Sequence, residues 1–224
     1  MQGTYDPELN LIYWGTGNPH PVEAGIARPG ANLYTCSLVA LDADTGRMKW
    51  FIQTSPHDTH DRDSNQTPVL FDAEFQGKPR KLLALASRSG YFFLLDRATG
   101  ESLVTVEYGR QNWSKGVDRR GQPIPEPEQD QTRDGVLFEG SATNWWAPSF
   151  DPETGLFYVG TNETFAVFYL TDTDPQPEGY AAAERFAGGF GSTTLRAIDY
   201  KSGKTVWSHH YPGGGGPVGP PTSP

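Results

Sequence analysis

The feature that most constrains this chain is a short unit that recurs three times: an apolar run ending in Asp, with a Gly four residues later. It reads Val39-Ala40-Leu41-Asp42 to Gly46, Phe93-Leu94-Leu95-Asp96 to Gly100, and Arg196-Ala197-Ile198-Asp199 to Gly203. The Asp side chain can bond the backbone of a tight turn and the Gly supplies positive φ, so each copy is a hairpin signal. A second unit precedes each: Tyr5-Asp6-Pro7 before Leu11-Ile12-Tyr13-Trp14, Phe71-Asp72 before Leu82-Leu83-Ala84-Leu85, and Phe150-Asp151-Pro152 before Leu156-Phe157-Tyr158-Val159. Two hairpins per unit, repeated in series, predict an all-β chain of four-stranded antiparallel blades, the pattern of a β-propeller. A β-sandwich with similar turns is the competing architecture, and the paired-hairpin order favours the propeller.

The spacing sets the expected blades at about 1–54, 64–106 and 141–211, a partial propeller over 1–211. Three blades cannot close on themselves and would leave sheet faces open at the ends of the arc. The expectation is therefore about three blades of a larger propeller, with blades missing on at least one side. Residues 107–140, polar and Pro-rich around Gln122-Pro123-Ile124-Pro125-Glu126-Pro127, read as a long insertion. Ala181–Phe186 reads as a short helix in a second insertion, and 212–224 as a Gly/Pro-rich disordered tail.

The 26 Gly and 19 Pro among 224 residues agree with many turns and few long helices. A formal charge of −9 argues against a nucleic-acid partner, which wants clustered Lys and Arg; cations or neutral substrates suit it better. The lone Cys36 leaves no internal disulfide and no multi-cysteine zinc knot. No apolar run approaches the roughly 20 residues that span a bilayer. The start, Met1-Gln2-Gly3-Thr4-Tyr5-Asp6-Pro7, has neither the basic nor the apolar part of a signal peptide, so no export signal is expected in this chain.

Chemistry concentrates in Ser55-Pro56-His57-Asp58-Thr59-His60-Asp61-Arg62-Asp63, which holds two of the chain's 5 His. In an extended segment Asp61 and Asp63 project together while His60 and Arg62 face away. Converging carboxylates repel unless a cation lies between them, so a metal site is the first hypothesis.

The ordered series Gly15-Thr16-Gly17-Asn18-Pro19, Arg28-Pro29-Gly30-Ala31-Asn32-Leu33-Tyr34, Thr54-Ser55-Pro56-His57-Asp58, Leu95-Asp96-Arg97-Ala98-Thr99-Gly100 and Asn144-Trp145-Trp146 resembles the pyrroloquinoline quinone (PQQ)-dependent alcohol and methanol dehydrogenases, over nearly the whole chain. The resemblance implies an eight-bladed propeller, a PQQ cofactor and a metal ion, a small alcohol substrate, and cytochrome c or another electron acceptor. It implies a periplasmic location for the full-length protein. By position, Asn18 matches an amide metal ligand, Asp61 a metal ligand and catalytic base, and Arg88 and Asn144 groups that contact PQQ. Asp63 matches the extra carboxylate of members that use a lanthanide(III) in place of Ca2+; a trivalent ion is better matched by one more anionic oxygen. His57 and Asp58 match a loop brace, while Trp145 and Trp146 suggest blade packing with a partial role lining the funnel.

Some positions depart from the pattern. Ala31 stands where the family usually has Asp, and His60 and Arg62 replace aromatic residues around the base, so a different substrate funnel is expected. The family's metal-ligating Glu, the Trp under PQQ and the adjacent-cysteine disulfide have no counterpart in this sequence, so the isolated chain is expected to be inactive or nearly so. Two other classes are a non-enzymatic PQQ-like-repeat propeller acting as a binding scaffold, and a metal-dependent hydrolase built on His57, Asp58, His60 and Asp61.

Overall fold

The computed structural model describes residues 3–170 and 183–211. The first sheet is antiparallel in the order β1 (Thr4–Asp6), β2 (Leu11–Gly15), β3 (Ser37–Asp42) and β4 (Met48–Gln53). The second follows the same plan with β5 (Val69–Phe75), β6 (Lys78–Ala86), β7 (Tyr91–Asp96) and β8 (Ser102–Glu107). A small hairpin, β9 (Ser114–Val117) with β10 (Pro123–Pro125), leads to the third sheet. There β11 (Val136–Ala142) and β12 (Ser149–Asp151) both pair with β13 (Leu156–Leu170), which pairs with β14 (Ala183–Asp199) and then β15 (Thr205–Tyr211). Two 3-10 turns, Gly25–Ala27 and Pro127–Gln129, are the helical elements among the described residues.

The recurring Asp and Gly form the same turn in each sheet. The N–H of Gly46, Gly100 and Gly203 donates to the carbonyl of Asp42, Asp96 and Asp199, each at 2.8 Å. The Asp side chain takes the turn's backbone N–H groups: Asp42 Oδ1 accepts from Thr45 at 2.9 Å and Asp199 Oδ1 from Ser202 at 2.8 Å. Gly100 has a second duty, because a Cβ there would lie 2.6 Å from the Trp50 ring of the first sheet. The β5–β6 turn is made at Gln76 and Gly77, φ 51° and 74°, beyond the Asp72 that the sequence suggested. Two consecutive positive φ values fit the primed turns that suit the twist of a hairpin.

Alternation along the middle sheet decides the architecture. Leu83, Leu85, Tyr91, Phe93 and Leu95 pack with Leu11, Tyr13, Leu38 and Trp50 of the first sheet. Their neighbours Leu82, Ala84, Ala86, Phe92 and Leu94 pack with Phe157, Val159, Ile198 and Tyr200 of the third. A period of two that is apolar on both faces means the sheet is covered on both sides. A two-layer sandwich has no such sheet; blades stacked in series do.

Polar ties fix the sheets to one another. Arg97 Nε donates to Asp6 Oδ2 at 2.6 Å, and the Arg97 carbonyl accepts from Tyr13 Oη at 2.8 Å and Trp50 Nε1 at 3.2 Å. Burial alone would raise the Asp6 pKa, but the Arg97 hydrogen bond, the N–H groups of Glu8 and Leu9 and the Arg97 charge bring it net below the usual carboxylate value. Between the second and third sheets, Tyr200 Oη donates to the Glu74 carbonyl at 2.8 Å, and Phe71 stacks on Phe150 with centroids 4.0 Å apart.

The helix expected over Ala181–Phe186 is corrected where it is described. Ala183–Phe186 pair with Leu170–Val167 in the upper part of the β13–β14 ladder. Alanine is the strongest helix former, but local propensity is small per residue and pairing along a long antiparallel partner overrides it. Ala181, Ala182 and the tail 212–224 lie outside the described residues. The segment 107–140 contains the β9–β10 hairpin, the second 3-10 turn and the start of β11.

Candidate functional site

The five predicted site residues sit on connections at one end of the sheets. Asn18 follows β2, Asp61 and Asp63 lie on the link from β4 to β5, Arg88 is on the β6–β7 turn, and Asn144 lies between β11 and β12. The site loop is not an extended strand. Asp61 has φ 61°, a left-handed conformation uncommon for a residue with a side chain. Asp58 holds this conformation from inside. Its carboxylate accepts the N–H of His60 at 3.3 Å and of Arg62 at 2.8 Å, so the residues on either side of Asp61 are pinned.

The grouping expected for an extended segment nevertheless appears. Asp61 and Asp63 share one cation: Arg88 Nη2 is 3.2 Å from Asp61 Oδ2, and Nη1 is 3.5 Å from Asp63 Oδ2. His60 and Arg62 are buried instead. Asp63 Oδ1 also accepts the backbone N–H of Asn18 at 2.9 Å, which brings that residue alongside. This approach depends on Gly15, where a Cβ would lie 1.6 Å from the Ser64 carbonyl oxygen. Arg88 and Asn144 line one cleft of about 220 Å³ with His60, Arg62, Trp146 and Asn162. Asn144 Oδ1 is buried there without a hydrogen-bond partner.

Residues that the sequence reading passed over hold this arrangement. Gln66 Oε1 accepts the Arg88 N–H at 3.1 Å, and Gln66 Nε2 donates to the Asp63 carbonyl at 3.3 Å. Tyr108 Oη donates to the Ser87 carbonyl at 2.8 Å and accepts the Thr143 N–H at 2.9 Å. Trp113 Nε1 donates to the Ser89 carbonyl at 2.8 Å. Tyr108 and Trp113 are aromatic residues near the start of an otherwise polar, Pro-rich segment, and that contrast was the available signal. Gln66 had none.

His57 Nδ1 lies 2.7 Å from the Gly30 carbonyl oxygen, and Arg62 Nη1 donates to Asp58 Oδ1 at 3.1 Å. His60 packs edge-on against Phe168 and tilted over Phe138, with its Nδ1 2.9 Å from Thr59 Oγ1. Among the described residues no group of three or more His, Cys, Asp and Glu side chains converges as a metal cage. The Asp58 carboxylate is committed to Arg62 and the loop, which counts against a hydrolase centred on His57, Asp58, His60 and Asp61. Trp145 is 66% exposed, so blade packing is corrected for it: it lies on the segment between β11 and β12 and turns outward, while Trp146 lines the cleft. A wider groove of about 830 Å³ runs past Ile26, Pro29, His57, Pro127 and Asp130 and holds none of the five residues.

Face-to-face blades with oxygen donors gathered at one end define the class as a propeller with an acidic site. Residues 2–133, more than half the chain, match the family described as PQQ: glucose/ethanol/alcohol dehydrogenase, beta-propeller domain, and the chain belongs to that family. It is 37% identical to the quinoprotein alcohol dehydrogenase PedH of Pseudomonas putida, over 93% of this chain and 38% of that protein. It is 35% identical to a lanthanide-dependent methanol dehydrogenase of Methylorubrum extorquens, over 92% of this chain and 38% of that one. The quinohemoprotein alcohol dehydrogenase structure from Comamonas testosteroni superposes with TM-score 0.85 at 32% identity, covering 94% of this chain and 34% of that chain. The chain thus spans less than two fifths of these relatives, as expected for some blades of a larger propeller.

Proposed function

We propose that this chain carries part of the active site of a PQQ-dependent dehydrogenase that oxidises an alcohol. The observation that supports it best is Arg88 bridging Asp61 and Asp63 beside Asn18, because it gathers the residues that this chemistry needs from three separate connections. The residues present fit a hard cation. The donors are two carboxylates and an amide, all oxygen, and Arg88 neutralises only one of the two negative charges. The orphaned Asn144 Oδ1 on the same cleft fits a polar group of a bound cofactor.

In this reading Asn18, Asp61 and Asp63 hold the metal, with Asp63 favouring a lanthanide(III) over Ca2+. When bound, the metal would supply Lewis-acid polarisation and PQQ would supply the hydride acceptor for the alcohol carbon. Asp61 takes the alcohol's hydroxyl proton at a carboxylate oxygen, removing the obstacle that a neutral alcohol is a poor hydride donor. Arg88 spans the site with a fork of donors suited to adjacent oxygens, and Asn144 orients the cofactor's edge. Trp146 and Phe138 line the cleft with rings that exclude water.

The substrate is a small alcohol, and electrons pass to cytochrome c or another acceptor; one relative is a 1-butanol dehydrogenase (cytochrome c) of Thauera butanivorans. The complete enzyme works in the periplasm, and this chain alone is inactive or nearly so. Asp61→Asn in the complete protein tests the reading: dye-linked alcohol oxidation falls at least about 100-fold if Asp61 is the base. Full activity in that variant would remove Asp61 from the mechanism and favour a binding scaffold.

A further inference from the structure

Arg62 lies between the two carboxylates in sequence but has a different environment. It is 3% exposed, bonded to Asp58, with its guanidinium carbon 4.6 Å from the centre of the Trp113 ring and 5.2 Å from that of Phe138. Nη2 is buried without a hydrogen-bond partner, so the stack and Asp58 account for its placement. Burial lowers the pKa of this guanidinium to about 10 against the pull of Asp58. A buried ion pair is a poor source of stability compared with packed apolar groups, so its more natural use is to fix one arrangement.

What it fixes follows from its neighbours. The Arg62 N–H and side chain both go to Asp58, whose other backbone bond holds His60; Asp61 sits between these anchors at positive φ. Trp113, which carries the guanidinium on its ring, donates its own N–H to Ser89, next to Arg88. One indole therefore touches the connection that bears the carboxylates and the turn that bears their cation.

We propose that Arg62 is a positioning residue: held between Asp58 and the faces of Trp113 and Phe138, it fixes the loop that presents Asp61 and Asp63 to Arg88. Its effect on metal binding rests on the dehydrogenase reading; its ordering of the loop does not.

Two measurements on this chain separate the two. Hydrogen exchange followed by mass spectrometry reads the loop itself. In Arg62→Met, peptides covering 55–66 exchange about tenfold faster or more, while those covering 82–95 keep their protection. Arg62→Lys keeps a charge for Asp58, so the fold survives, but it lacks the flat group on Trp113; the same peptides loosen to a smaller extent. Unchanged exchange at 55–66 in both variants, or equal loosening of 82–95, overturns the proposal.

Titration with terbium(III) alone, read by its sensitised luminescence, then tests the consequence. Affinity drops about tenfold or more in Arg62→Met, the size expected when support for a ligand is lost. If Asp63→Asn loses terbium while both Arg62 variants bind as the parent does, the metal reading stands and the positioning role is overturned. If Asp63→Asn binds as the parent does, the metal reading fails at Asp63, and the exchange result alone decides the role of Arg62.

Discussion

The hydroxyl of Tyr108 accepts the backbone N–H of Thr143 at 2.9 Å, which ties the end of the second sheet to the residue beside Asn144. The same hydroxyl donates to the Ser87 carbonyl, beside Arg88. Two predicted cofactor contacts are thus held by one buried phenol, which burial keeps in its protonated, donating form.

Tyr108→Phe keeps the ring and leaves the Thr143 N–H and the Ser87 carbonyl without that partner. We expect a loss of about 1–3 kcal/mol, the cost of groups left unsatisfied in a buried place. Urea unfolding measures it, and local exchange should rise at 87–90 and 143–145 rather than across the chain.

Breaking the tie between the first two sheets should cost more. Asp6 and Arg97 are 2% and 5% exposed, so Arg97→Met strands a buried carboxylate at an expected cost of about 3–5 kcal/mol. The pair also predicts the acid response. The folded Asp6 pKa is depressed, so its stabilisation is complete above the unfolded value of about 3.9 and disappears as pH falls through the folded value. Urea midpoints measured from pH 6 to pH 2 should fall less steeply in Asp6→Asn than in the parent.

Gly15→Ala places a methyl group where the Ser64 carbonyl already lies. Backbone cannot yield as a flexible side chain does, so strand and loop must separate, at about 1–3 kcal/mol. Because Asn18 and Asp63 meet through this contact, the variant should lose terbium affinity as well as thermal stability, whereas a Gly46→Ala control, with open space around its Cβ, should lose stability alone.

Asp63→Ala in the complete protein should shift metal preference. With one anionic oxygen fewer, activity after apo-reconstitution with lanthanum should fall relative to activity with calcium. An unchanged ratio would assign the preference to other ligands.

The hairpin turns were legible in the sequence because Asp and Gly act locally there; Gly46, Gly100 and Gly203 all adopt the conformation their type permits. The alternation of the middle sheet was visible too, in the runs Leu82–Ala86 and Tyr91–Leu95. Asp61 and Asp63 stood out as neighbouring carboxylates and Arg88 through motif likeness, while the meeting of all three depends on tertiary packing that no local pattern encodes. The roles of Gln66, Tyr108 and Trp113 were hidden for that reason, since each acts through a carbonyl or amide far along the chain. The Ala-rich stretch misled because pairing with Val167–Leu170 outweighs its helical preference.

The middle sheet, enclosed on both faces, has a consequence for the order of assembly. It reaches its native surroundings only after both neighbours dock, and the site draws one corner from each junction. A folding intermediate with a single junction formed would present the carboxylates without Asn144, or Asn144 without the carboxylates. On the proposed reading, a cofactor that touches Arg88 and Asn144 together would be held only once both junctions have formed.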